Sequence, residues 1–213
     1  MNNPIKGYKQ ELYPIGDITQ WFAENPLLYA QFDMKGHNGI DIVRPHGTEM
    51  YAIENGTILD VKDSPDGYGK HVRFLSKKQG VSGYFHEWTY GHCSNIFVKV
   101  GDEVKGGQLI AAMGNTGFVV SGSTPFWKNN PYAGTHLHLG LRLMKRVAGG
   151  WKYPLSSIGI DCVNYNNGYK GSIDPAPYLK GLESTTTPQT VTQLQLTVIS
   201  LLNTLLNLLK SKK

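Results

Sequence analysis

A chain of 213 residues suits one domain with room for an appendage. The formal charge is +5, but Lys210, Lys212 and Lys213 supply three of these charges with no acid beside them, so the body of the chain lacks a nucleic-acid footprint. The 25 Gly, 11 Pro and 12 Tyr favour turns and strands over a helical bundle, and two cysteines, Cys93 and Cys162, make no disulfide framework.

Residues 1–10 hold no apolar run, so no Sec signal peptide is expected, and no stretch reads as a clean membrane span. Residues 12–25 begin with Pro14, Gly16 and Asp17. Ile18, Trp21 and Phe22 then form a strand or a helical turn, broken at Asn25-Pro26. Residues 36–42 are a glycine-flanked loop running into an apolar strand. Strand-length runs follow at 50–53, 56–61, 71–75, 83–90, 98–101, 108–113 and 135–143, with Gly, Pro, Asp and Asn between them. No ten-residue helical period separates them, which predicts an all-β antiparallel sandwich or barrel. Residues 118–134 are long for a hairpin connection and carry Phe118, Phe126, Trp127 and Tyr132, as a wall of a binding groove would. A further hairpin and a Pro-rich closing segment are expected over 144–179.

Residues 134–142 carry the chemistry. As a strand they place Leu137, Leu139 and Leu141 on one face and His136 and His138 on the other. The bland reading is a solvated face. A metal is the other, because neutral imidazole is a common ligand. His37-x-x-x-Asp41 offers a further imidazole and a carboxylate, beside Gly36 and Gly39, which permit close backbone approach. His37, Asp41 and His138 then make a donor set of the kind hydrolytic zinc sites use, with a fourth position open for water. His136 would stand beside that water, and His92, ending another strand, reaches the same cleft.

The remaining histidines have plainer readings. His71 alternates with Val72 and Phe74 and is expected to face solvent. His46 belongs to a turn. His86 shares parity with Trp88, Tyr90 and His92, but a surface place is preferred for it. Cys93 points away from His92 as a buried free thiol. Gly67-Tyr68-Gly69 is a turn, and neither a G-x-S-x-G elbow nor a Walker loop occurs.

Taken together these motifs resemble the lysostaphin-type (M23) zinc endopeptidases, which cut peptides in bacterial cell walls. Gly36-His37-Asn38-Gly39-Ile40-Asp41 is similar to the family's H-x-G-x-D, Tyr90-Gly91-His92-Cys93-Ser94 to its Y-x-H-x-S, and Thr135-His136-Leu137-His138 to its H-x-H. Residues 47–52, 56–58, 100–110 and 114–117 resemble its intervening strands and glycine-rich hairpin, so that the match runs in order from about 14 to 179. The resemblance implies a barrel-like sandwich of the duplicated hybrid motif type. It implies Zn2+ on His37, Asp41 and His138, with His136 and His92 as acid–base and oxyanion groups. A zinc-activated water would attack a peptide bond of peptidoglycan, in a stem peptide or a cross-bridge. Tyr29 is the nearest candidate for the tyrosine the family places by its site. The loop 118–134 departs from the family's short turn. The site of action implied is the bacterial cell wall, reached as a phage endolysin or virion protein, by holin-type release or by non-Sec export.

Rival readings are weaker. A biotin- or lipoyl-type carrier needs a lysine at a hairpin tip, and residues 111–116 offer none. A cupin-like barrel needs an acid soon after H-x-H, and residues 139–147 contain none. An inactive wall-binding module of the same fold is the alternative that only an assay removes.

The domain organisation expected is a peptidase-like domain over 1–183, a Ser/Thr/Pro/Gln linker over 184–190 and an amphipathic helix over 191–213. Val191, Leu194, Val198, Leu201, Leu205 and Leu208 recur at spacings of three and four, the seam of a coiled coil or bundle helix. Self-association through 191–209 is the reading preferred, with contact to a membrane surface second.

Overall fold

The computed structural model describes residues 4, 17–80, 82–121, 124–125, 131–147 and 159–179. The strands in chain order are β1 (Ile18–Gln20), β2 (Ile40–Ile42), β3 (Glu49–Tyr51), β4 (Gly56–Lys62), β5 (His71–Ser76), β6 (Phe85–Gly91), β7 (Cys93–Ile96) and β8 (Glu103–Val104). They continue with β9 (Leu109–Met113), β10 (Val120–Ser121), β11 (Thr124–Pro125), β12 (Leu137–Arg146), β13 (Ile160–Cys162) and β14 (Ser172–Ile173). A single turn of helix, α1 (Pro26–Tyr29), starts at the Asn25-Pro26 break, where proline needs no N–H partner.

A nine-stranded sheet runs β1-β2-β12-β6-β5-β4-β8, with β13 and β14 also on β12. A three-stranded sheet, β3-β9-β7, covers part of one side. The pairings are antiparallel. The all-β antiparallel expectation therefore holds, but the barrel-like closure does not. The large sheet is open, and its edge strands β1 and β8 are three and two residues long, too short to carry a ladder round to one another.

Alternation along β12, β6 and β5 sends Leu137, Leu139, Leu141, Trp88, Tyr90, Val72 and Phe74 into the core. The Tyr90 hydroxyl donates to Tyr51 O on β3 at 2.8 Å, tying the two sheets together. The opposite face of the large sheet carries His138, Gly140 and Arg142 of β12 in register with Gly91, Thr89 and Glu87 of β6. That face is the floor of the functional site.

Three expectations need correction. Residues 98–101 form a turn rather than a strand, since Gly101 has φ 90 and Asp102 N donates back to Lys99 O. His71 is 5% exposed, because both faces of β5 are covered. His86 is 0% exposed: it lies on the core face, where Nδ1 sits 2.8 Å from Glu54 Oε1 and the ring packs edge-on against Tyr178. His46 does lie in a turn, and both cysteines are free and buried. The described residues all belong to the unit Met1–Gly181. The linker 184–190, the helix 191–213, and Phe126 and Trp127 lie outside the described residues. Among the described residues no helix is long and apolar enough to cross a membrane.

Candidate metal and hydrolytic site

Sheet register assembles the site. On β2 and β12, Asp41 and His138 are direct partners, and Gly91 of β6 flanks His138 on the other side. Directly opposed residues project from the same face, so carboxylate and imidazole meet. His138 Nδ1 lies 3.1 Å from Asp41 Oδ1. His37 comes from the loop that precedes β2. That loop is pinned by Ala23 N donating to His37 O and His37 N donating to Glu24 O, both at 2.8 Å. The His37 Nδ1–H donates to Trp21 O at 3.1 Å, which leaves Nε2 bearing a lone pair. That Nε2 is 3.1 Å from Asp41 Oδ1 and 3.0 Å from His138 Nδ1.

His37 Nε2, Asp41 Oδ1 and His138 Nδ1 thus form a triangle with sides of 3.0, 3.1 and 3.1 Å. Ligand–zinc distances of about 2.0–2.1 Å in a tetrahedron give edges of about 3.3–3.4 Å. An outward adjustment of a few tenths of an ångström around an ion is all the triangle lacks, and the three buried residues form a metal-competent group. Burial pushes the His138 imidazole down to about 4. Burial would raise Asp41, but His136 and His37, with hydrogen bonds from His138 and His37, hold it well below the usual carboxylate range. The set therefore offers one carboxylate and two imidazole nitrogens, which is a fitting donor set for zinc.

Gly39 makes the close approach possible. A Cβ there would stand 2.6 Å from Leu139 O and 2.7 Å from His138 Cε1, so the His138 ring occupies the space a side chain would need.

His92 and His136 face the triangle. His92 follows the last residue of β6 in the left-handed region, φ 60, a conformation that costs a non-glycine residue about 1 kcal/mol or more. Its N–H donates to Tyr68 O and its Nδ1–H to Thr116 O, both at 2.7 Å. His136 Nδ1–H donates to Gly134 O at 2.7 Å. A carbonyl only accepts, so Nδ1 of each ring carries a proton and Nε2 is the ring nitrogen left for other partners. The two rings lie 4.6 Å apart, and His136 Nε2 is 3.7 Å from Asp41 Oδ2. Burial, then the nearby His136 and His138, lower the His92 imidazole well below its usual value.

The structure brings together all five residues singled out in the sequence. A cleft of about 660 Å³ opens over Asp41, His92, His136 and His138. Tyr29 reaches its wall, 5.3 Å from the His37 ring, and burial followed by Asp41 and Tyr68 raises its phenol, so it stays protonated. Phe118, half exposed, also lines the cleft and packs edge-on against Phe32 at 5.2 Å. Tyr68 and Asn38 are the residues that sequence reasoning missed. Tyr68 stacks on His138 at 4.8 Å, and its hydroxyl accepts from Asn38 Nδ2 at 2.6 Å. The signal was an aromatic residue between two glycines of positive φ, Gly67 and Gly69.

The sequence profile of Peptidase family M23 matches residues 35–148, which contain the five residues above and Tyr68. Glycyl-glycine endopeptidase ALE-1 of Staphylococcus capitis is 29% identical over 171 residues, covering 80% of this chain and 40% of that protein. Lysostaphin of Staphylococcus simulans is 28% identical over 175 residues, covering 80% of this chain and 31% of that protein. Peptidoglycan DD-endopeptidase ShyA of Vibrio cholerae is 31% identical over 116 residues, covering 54% of this chain and 22% of that protein. The chain thus spans well under half the length of these relatives. The solved structure of the antimicrobial peptidase lysostaphin from Staphylococcus simulans shares the fold, with a TM-score of 0.51 at 23% identity over 80% of this chain and 52% of that one. With the profile spanning more than half of the sequence and every motif in place, the chain belongs to peptidase family M23.

Proposed function

We propose that the chain is a zinc metalloendopeptidase that hydrolyses peptide bonds in bacterial peptidoglycan. The observation that carries this reading is the triangle of His37 Nε2, Asp41 Oδ1 and His138 Nδ1, faced by Nε2 of His92 and His136. A zinc ion held by the triangle would supply a Lewis acid for the scissile carbonyl and lower the pKa of a water molecule to roughly 7. The chain supplies the rest. Of His136 and His92, one accepts the proton of the attacking water at Nε2. The other, as imidazolium, donates from Nε2 to the oxyanion of the tetrahedral intermediate. Tyr29, kept protonated, stands on the same wall as a further donor. The relatives named as a glycyl-glycine endopeptidase and a peptidoglycan DD-endopeptidase support a wall peptide as substrate.

The test is the full chain incubated with purified sacculi, with and without a zinc chelator, followed by mass analysis of released peptides. Chelator-sensitive release, restored by added zinc, is expected. Binding to sacculi without release would favour the inactive wall-binding module instead.

A further inference from the structure

The sheet face that carries the metal-competent set continues past it in rows set by register. The first row holds Gly91, His138 and Asp41. The second holds Arg73, Thr89 and Gly140, and the third holds Glu87 and Arg142. Successive rows are two residues apart, about 7 Å along a strand. Gly140 is closely packed, since a Cβ there would meet Thr89 Cβ at 3.4 Å, His138 Nε2 at 3.6 Å and Asn38 O at 3.7 Å.

The charges around this floor are unequal. Among the described residues lining the cleft, the cations are Lys62, Arg73, Arg142 and Lys170, and the one acid is Asp41 of the triangle. Glu87 is bound to Arg142 Nη1 at 3.0 Å, and Asp60 of β4, in register with Arg73, lies 3.3 Å from Lys62 Nζ, so the four cations still outnumber the three acids around them. Arg142 Nε donates to Lys170 O at 2.9 Å. Asn167 Oδ1 accepts from Tyr169 N at 2.8 Å and Gly171 N at 3.1 Å. These bonds hold the exposed Lys170 at the rim in a left-handed conformation, φ 53. On the floor, the Arg73 guanidinium lies 5.9 Å from the centroid of Tyr68, whose ring is stacked on His138. These two distances put the Arg73 guanidinium no more than about 11 Å from the His138 ring, within the reach of about three residues of extended peptide.

We propose that Arg73 and Lys170 determine specificity by binding a carboxylate carried by the substrate two or three residues from the scissile bond. The preferred substrate is then an acidic peptide, such as a wall stem peptide with free carboxyl groups, over a neutral glycine bridge. Guanidinium matches carboxylate with paired hydrogen bonds, which gives the choice its direction. This inference rests on the peptidase reading above.

The test uses the zinc-loaded full chain on two cross-linked stem peptides that differ in one respect, a free carboxylate against its carboxamide, with pentaglycine as a third substrate. The wild type is expected to show a kcat/KM at least ~10-fold higher for the acid than for the amide, the usual worth of a hydrogen bond to a charged group. That ratio should fall with added salt. Arg73→Gln and Lys170→Gln should each bring the ratio towards one. Lys170 is exposed, so its variant keeps the test informative if Arg73→Gln folds poorly. A ratio near one in the wild type, or an unchanged ratio in both variants, overturns the proposal while leaving the peptidase reading intact. Failure to cleave sacculi and all three peptides overturns the peptidase reading itself.

Discussion

The ring of Tyr68 lies stacked on that of His138, with 4.8 Å between centroids and 30° between planes. The same tyrosine accepts a hydrogen bond from Asn38, which stands in the chain between His37 and Asp41. One side chain from the turn before β5 therefore braces two separate stretches of the metal-competent set. Groups that orient a ligand are typically worth 10–100-fold in metal affinity. Tyr68→Ala should weaken zinc binding by about 10-fold or more in a competition titration, whereas Tyr68→Phe, which keeps the stack, should lose much less. Equal affinity in Tyr68→Ala and wild type would show that the stack is incidental packing.

The proposed roles separate two classes of variant. His37→Ala, Asp41→Ala and His138→Ala should each lose bound zinc, because three protein ligands are the usual complement of a catalytic site. His136→Ala and His92→Ala should keep zinc and lose at least ~100-fold in activity, the usual worth of an acid–base or oxyanion group. Metal analysis alongside turnover checks both. Zinc loss in the His92 variant with retention in the His37 variant would reverse the assignment.

Gly39→Ala tests the steric argument. The new Cβ would press on Leu139 O and on the His138 ring, forcing β2 and β12 apart at Asp41. Such overpacking costs about 1–3 kcal/mol. A lower denaturation midpoint and weaker zinc binding are both expected. A variant with wild-type metal affinity would mean that the two strands separate freely at this point.

His71 links stability to pH. Burial, and the charges of Arg73 and Lys62, lower its imidazole, against the hydrogen bond to Gly69 O and the charge of Asp60. A histidine lowered in the folded state binds its proton more readily when unfolded, so stability rises with pH there. Its contribution is present above the unfolded value of about 6.5 and is lost as pH falls below it. Between pH 7.5 and 5.5 the unfolding temperature should fall more steeply for the wild type than for His71→Gln. Parallel slopes would exclude His71 as the titrating group.

Much of the site was legible in the chain because its signals are local. The alternation of Leu137, Leu139 and Leu141 with His136 and His138 follows from strand geometry alone, and it places a buried face and a working face on one segment. The glycine beside His37 and Asp41 likewise announced a close approach, and Gly39 meets β12 as that reading required. Tertiary structure decided the rest. His37 and His138 are 101 residues apart in the chain, and only the antiparallel register of β2 on β12 brings their ring nitrogens to 3.0 Å. At His86 the surface place preferred was wrong: parity holds with Trp88 and Tyr90 and fails only at His92. The left-handed turn at His92 breaks the alternation, sending that ring to the cleft while His86, Trp88 and Tyr90 stay on the core face. His71 is buried because other segments cover both sides of β5, and Tyr68 braces His138 because its turn folds over Gly91, where a Cβ would lie 3.4 Å from the tyrosine. Alternation is a property of one strand, whereas burial, register and the single backbone reversal that re-aims a side chain depend on what the rest of the chain packs against it.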